Sequence, residues 1–293
     1  MNKLKNQCGR RNERIFSNIC ILPSLIGVLI FFLIPFGIVV YYSTINNPIT
    51  RQFVGLENYK KLFQNSALKL AASNTALFSL IAVPLAIILS LWLAMLLERN
   101  IPAKSFIRTL FLSPLMVPTA SVVLVWQVLF HNHGTVNQFI EMFGLKGIDW
   151  LQSDYGQVVI ILMFLWKNLG YNMILFMSAL AGIPKDLIEV AELEGAGKLY
   201  QLIHIKLRYL SPTMLFVFIL SLINSFKIFR EVYLLTDDHP YDSMYMLQHF
   251  MNNTFNNLDY QKLSSAAVLF SLVMIVVIAV LLVLENIFGK DVE

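Results

Sequence analysis

A few polar side chains interrupt the long apolar stretches of this 293-residue chain, and any chemistry inside those stretches falls to them. "WKNLGYNM" (166–173) sets Lys167, Asn168, Tyr171 and Asn172 in one such stretch. Asn168 and Asn172 are four apart, so a helix puts both on one face with Tyr171 adjacent. "SLINSFK" (221–227) sets Ser221, Asn224, Ser225 and Lys227 in another, with Ser221 and Ser225 sharing a face. Gln127 follows Trp126 in a third. Amides and hydroxyls beside an aromatic ring suit a hydroxyl-rich ligand. The same groups could instead be hydrogen-bonding glue between membrane helices, and Lys227 could snorkel to the membrane edge. The residues alone leave both readings open. Gln127, Asn168, Tyr171, Asn172, Asn224, Ser225 and Lys227 are therefore the candidates for a substrate path.

Covalent chemistry finds no support. H-E-x-x-H and G-x-S-x-G are absent, and no catalytic residue or enzyme activity is expected. Gly197-Lys198 and Gly289-Lys290 lack the upstream glycine loop that cradles phosphates, so this chain should not bind ATP in the P-loop manner. His131 and His133 flank a turn, and Asp237, Asp238, His239 and Asp242 form an acidic one; solvated loops account for both, and no metal is expected. Cys8 and Cys20 match no metal or redox spacing and read as small apolar filler. No arginine stands between Arg108 and Arg208 to fork a phosphate, which points to a neutral sugar or short oligosaccharide. Lys167 and Lys227 keep a phosphorylated solute in view.

The elements that must position these residues are membrane spans. The chain is 57% hydrophobic and 14% charged, with mean hydropathy +0.66, where a soluble domain carries about 25% charged residues. Six stretches, near 19–42, 70–97, 107–130, 157–182, 205–229 and 264–286, reach the ~20 residues a spanning helix needs. None alternates as barrel strands do. The first has too long an apolar core for a signal peptide, and is expected to be a retained anchor. With the N-terminus inside, inner segments hold 13 of the 22 basic residues and outer segments 7, leaving Lys167 and Lys227 in spans. That bias predicts both termini in the cytoplasm. The expected order is a tail (1–18), the first transmembrane helix (19–42), an extracellular loop (43–69), a core of five further transmembrane helices (70–286) and a tail (287–293). No acid is expected deep in a span, which weighs against an ion-coupled secondary transporter with its intramembrane relay. The net charge of +4 is scattered through loops and predicts no nucleic-acid partner.

One polar segment, "IPKDLIEVAELEGAGKLYQLIHIKLRYLSP" (183–212), falls on the inner side. Pro184 suits a helix start, Asp186 and Glu189 the positive end of its dipole, and Gly195 a left-handed stop. A helix over 184–195 would gather Leu187, Ile188, Ala191 and Glu194, and a second short helix would run from about Ala196 to Ile205. Interfacial helices favour Lys and Arg on the polar face, and this one is acidic. A groove on a soluble partner is the other place for it.

"EVAELEGAGKLYQLIHIKL" (189–207) resembles the EAA loop of permease subunits in ABC importers, E-A-A-x-x-D-G-A, a spacer, then I-x-L-P. Glu189, Ala191, Gly195, Ala196, Ile205 and Leu207 match; Val190 and Glu194 replace an alanine and an aspartate, and Arg208 stands where proline is usual. "FVGLENYKKL" (53–62), "FIRTLFLSPLMVPTASVVLVWQVLF" (106–130) and "SLINSFKIFREVYLLTDDHP" (221–240) are similar to segments of the carbohydrate branch, the maltose-type and glycerol-phosphate-type permeases. The likeness spans roughly 19–288. It implies an all-α integral membrane protein of six transmembrane helices with the type I importer fold. It implies a permease that moves a sugar or oligosaccharide, or alternatively glycerol 3-phosphate or another polyol. It also implies partners: a second homologous permease, two ATPase subunits that use ATP and Mg, and an extracellular solute-binding protein. Glu189, Ala191, Glu194, Gly195 and Ala196 would be the ATPase-coupling loop, within 184–205. The family's sugar path runs among the third, fourth and fifth spans, which favours Asn168, Asn224 and Ser225.

Overall fold

Backbone amides in lipid find no water, so a chain this apolar satisfies them within helices. The computed structural model describes residues 21–98, 102–236 and 240–288, and among these no strand occurs, only an isolated bridge between Ile45 and Phe53. Cys8, Cys20, the basic residues of the N-terminal tail, Arg99, Asp237, Asp238, His239 and Lys290 lie outside the described residues, as does the side chain of Glu285. The helices are α1 (Ile21–Ser43, with a π turn at Leu29–Leu33), α2 (Glu57–Gln64), α3 (Ser66–Glu98), α4 (Lys104–Met116), α5 (Thr119–Phe130), α6 (Thr135–Met142) and α7 (Gly156–Ala181). Then come α8 (Lys185–Leu193), α9 (Lys198–Gln201, continued by a π turn Leu202–Lys206 to Leu207–Tyr209), α10 (Ser211–Lys227), α11 (Phe229–Thr236), α12 (Leu247–Asn256) and α13 (Tyr260–Phe288). Five spans are long and apolar enough to cross a membrane: α1, α3, α7, α10 with α11, and α13; α4 with the bent continuation through α5 makes up to six.

Residues 21–64 and Thr254–Leu272 pack as one unit. Here "GLENYKK" has a structural job. Asn58 Nδ2 donates to the carbonyls of Ser43 (2.9 Å) and Ile45 (2.8 Å), and Tyr59 donates to Ser43 Oγ (2.7 Å). Ser265 Oγ reaches the same Ser43 carbonyl at 3.4 Å. The open carbonyls at the end of α1 are thereby satisfied.

The described residues of Asn65–Asn253 and 273–288 form the other unit. Its centre is α3 against α7, with Phe78, Ala82, Val83 and Ala86 buried beside Ile160 and Phe164. The Phe78 and Phe164 rings meet edge to face at 5.5 Å. Gly170 lets α4 approach α7 closely: a Cβ there would lie 1.9 Å from the Phe111 carbonyl oxygen. Small residues permit this in membrane helices.

Prolines break the stretch expected as a continuous third span. Pro114 cannot donate to Leu110, and Ser113 Oγ takes that carbonyl instead at 2.8 Å. Pro118 holds the preceding Val117 extended (φ −89°, ψ 130°), so α4 stops at Met116 and the chain turns by 102° into α5. The stretch expected to end near 229 is instead extended. Only Ile228 separates α10 from α11, and it keeps right-handed helical angles, so one span runs Ser211–Thr236.

Candidate functional site

Extending that span changes what it carries. Ile228, Val232 and Leu235 recur at helical spacing and are buried, and Glu231 shares their face at 6% exposure. The expectation of no acid deep in a span is thus corrected. Glu231 accepts a hydrogen bond from Lys167 Nζ of α7, and a buried carboxylate is held there by its pairing. The apolar spacing in "KIFREVYLLT" was the available signal, masked by the three charges of Lys227, Arg230 and Glu231.

Beside this pair lies a cavity of about 610 Å³, near the midpoint of α7. Lys167, Asn168, Asn224, Lys227, Arg230 and Glu231 line it. Asn224 Nδ2 donates to Asn168 Oδ1 at 2.9 Å, and Asn168 Nδ2 donates to the Phe164 carbonyl at 2.8 Å. Two amides are locked together, with the Asn224 carbonyl oxygen turned to no protein donor in this pair. Phe229 and Phe164 supply aromatic wall, and Thr119, the first residue of α5, closes another side. Of the seven path candidates, the structure gathers Asn168, Asn224 and Lys227 here. Arg230, expected in an outer loop, joins them.

The remaining four are elsewhere. Asn172 is buried and donates to Ser221 Oγ at 2.9 Å; Ser225 is buried against Ser79 Oγ at 3.0 Å. Both stitch α10 to its neighbours and neither lines the cavity. Gln127 Nε2 donates to the carbonyls of Leu234 and Leu235 (3.3 and 3.2 Å), tying α5 to α11. Tyr171 is exposed on α7 and is also off the cavity wall. One residue off in helical phase separates the lining Asn224 from the buried Ser225.

The acidic segment is built as two helices at the other end of α7. Pro184 stands at the N-cap position of α8, with Asp186 in the first turn. Gly195 takes φ +78°, its N–H bonds the Glu192 carbonyl (3.1 Å), and the Ala196 N–H reaches back to Ala191 (2.8 Å). This pair of bonds is the Schellman stop. Gln201, which the sequence reading passed over, is buried and donates to the Ala196 carbonyl at 3.0 Å, bracing the turn. With Arg208 in place of proline, nothing interrupts α9 there, and it ends only at Tyr209 ahead of Pro212.

The expected stripe of Leu187, Ile188, Ala191 and Glu194 is split by packing. Ile188 turns in against Leu180 and Ile183, while Val190 (57% exposed) and Leu193 (88%) face out beside Glu194, and Glu189 sits at the edge of the cleft behind the helix. Behind α8 a cleft of about 670 Å³ reaches Glu98 at the end of α3, Lys104 and Arg108 of α4, and Ser178 of α7. Lys206 crosses it to Glu98 at 2.6 Å. Among the described residues no three His, Cys, Asp or Glu side chains converge as a metal site would require.

Residues 82–293 match the family described as the binding-protein-dependent transport system inner membrane component. The sn-glycerol-3-phosphate transport system permease protein UgpA of Pectobacterium atrosepticum is 32% identical over 71% of this chain and 72% of its own. The sulfoquinovosyl glycerol transport system permease protein SmoG of Agrobacterium fabrum is 28% identical over 90% of this chain and 88% of its own. A crystal structure of a bacterial ABC transporter involved in the import of the acidic polysaccharide alginate shares the fold, with TM-score 0.79 and 18% identity over 94% of this chain and 96% of that one. A proline-bent bundle of membrane helices with a capped helical pair at one end and a polar cavity at mid-span belongs, on these matches, to the family of inner membrane permease components of binding-protein-dependent ABC importers.

Proposed function

We propose that this chain is one half of the translocation path of an ATP-driven importer for a sugar or polyol in a bacterial cell membrane, both termini cytoplasmic. The observation that carries the reading is α8. Its outward face combines Val190 and Leu193 with Glu194, and its end is fixed by Gly195. A lipid-lying helix would carry Lys and Arg on that edge, and an amphipathic helix with apolar anchors fits a groove on a protein. The partner is a separate ATPase, present in two copies, that uses ATP and Mg. Glu189, Ala191, Glu194, Gly195 and Ala196 form the docking turn. Closure of the ATPases pulls α8, and the cleft behind it passes the displacement to the ends of α3, α4 and α7. A second, related permease completes the path, and a solute-binding protein delivers the solute on the opposite side. The names of the relatives, with glycerol 3-phosphate and sulfoquinovosyl glycerol as their solutes, support a sugar or polyol.

The test is isolation of the chain from its native membranes in mild detergent, beside Gly195→Asp. At Gly195 an added Cβ meets no atom of this chain. Beyond the strain of a positive φ, which aspartate tolerates better than most residues, the new carboxylate obstructs the partner and not the turn. A P-loop ATPase and a second permease should accompany the parent chain and be depleted by the variant. A chain recovered alone, with ATP-independent uptake, overturns the reading.

A further inference from the structure

The cavity at mid-span carries a charge that a neutral solute would leave uncompensated. Lys167, Lys227 and Arg230 stand against the single carboxylate of Glu231, an excess of two positive charges. Lys167 is already matched by Glu231. Among the described residues neither Lys227 nor Arg230 makes an ion pair. The two are three residues apart across the Ile228 junction, so they project from one side of the Ser211–Thr236 span into the same space. Intramembrane cations are costly without a counter-charge. Arg230 offers a planar fork that pairs with two oxygens of one anionic group, and Lys227 a mobile point charge. The adjoining Asn168–Asn224 pair and Thr119 offer hydrogen-bonding groups for hydroxyls. A volume of about 610 Å³ suits a solute of one or two sugar units, not a long chain.

We infer that the solute is an anionic sugar or polyol, bearing a phosphate, sulfonate or carboxylate, whose charge is held by Lys227 and Arg230. The neutral sugar expected from the missing arginines between Arg108 and Arg208 is set aside, because Arg230 reaches the site from beyond that interval. This rests on the permease reading above. A lipid phosphate is the other source of the same chemistry, and the experiment separates the two.

The experiment uses the importer with the subunits that co-purify, in liposomes of phosphatidylcholine. Thr119→Cys in a Cys8→Ser/Cys20→Ser background reports the cavity without knowledge of the solute. Its rates of labelling by anionic and cationic thiosulfonates of equal size are compared. The anionic reagent should react faster, and Lys227→Gln/Arg230→Gln should lower the anion-to-cation ratio about tenfold or more. Arg230→Lys should keep most of it. A parallel arm measures ATP-driven uptake of sn-glycerol 3-phosphate and glucuronate against glucose and maltose. Anionic probes should be transported, with the KM rising about tenfold to a hundredfold in the Gln variants. An unchanged labelling ratio, or robust uptake of the neutral probes alone, overturns the inference. If no probe is transported, the labelling ratio decides. Loss of the anionic preference in liposomes doped with phosphatidylglycerol assigns the cations to lipid and also overturns it. Failure of the permease reading looks different: no ATPase co-purifies and uptake ignores ATP.

Discussion

Single residues here divide by whether their polar atoms are already spent. Asn172 and Ser225 are buried and bonded to Ser221 and Ser79. Hydrogen bonds of this kind between membrane helices average about 0.6 kcal/mol. Asn172→Leu should therefore lower thermal stability by about that much and leave the KM for transported solute unchanged; a large rise in KM would return Asn172 to the solute path. Lys167 and Glu231 are a different case. Their side chains are mostly buried, and removal of one partner strands the other. Lys167→Met should cost about 3–5 kcal/mol, and Lys167→Met/Glu231→Leu should recover most of it, because apolar pairs replace buried ion pairs well. Chemical denaturation in detergent micelles would measure both. Equal losses in the single and double variants would show that the pair contributes nothing as a pair.

At the scale of elements, two glycines do opposite work. Gly170 exists for closeness: its hydrogen faces the Phe111 carbonyl where a methyl cannot fit. Gly170→Ala should separate α4 from α7 at a cost of about 1–3 kcal/mol or more, since the obstruction is backbone and cannot rotate away. A thermal-shift measurement on the purified complex checks it, and an unaltered midpoint would contradict the contact. Gly195 exists for its dihedral: its surroundings are open, but φ is +78°. Gly195→Val should cost about 1–2 kcal/mol locally through left-handed strain. On the proposed docking of this turn to an ATPase, it should lower solute-stimulated ATP hydrolysis far more than stability. Stimulation equal to the parent would count against α8 as the coupling element. The proline break between α4 and α5 is the third such device, and it places Thr119 on the cavity instead of inside a straight span.

For the whole molecule, orientation sets which side α8 faces. The basic residues predict the cytoplasm. Leu193 is exposed, so a cysteine there is a direct reporter. Leu193→Cys in the Cys8→Ser/Cys20→Ser background should react with an impermeant maleimide in inside-out vesicles and resist it in spheroplasts. The reverse pattern would invert the protein and remove α8 from any cytoplasmic ATPase. The large apolar surface of α1, with Phe31 and Phe32 exposed, is what lipid or a second permease must cover.

The helical membrane class, the presence of the apolar stretches and the Gly195 turn were legible in the residues, because hydropathy over twenty residues and a Gly–Ala–Gly stop are local properties. Local physics makes α8 end at Leu193 and Gly195 turn left-handed whatever packs nearby. The cavity was not legible. Whether Asn224 or Ser225 faces it depends on the rotation of α10 against α3 and α7, which one residue of phase decides. Whether Glu231 lies in a loop or in the bundle depends on α11 continuing past Ile228, where propensity is neutral and the packing of Val232 and Leu235 decides. The sequence therefore determined that this protein is a membrane permease with a capped helical turn at one end. Only the tertiary structure set Lys227 and Arg230 beside Asn168 and Lys167, since residues of α7 and of the Ser211–Thr236 span meet through helix packing and not through spacing.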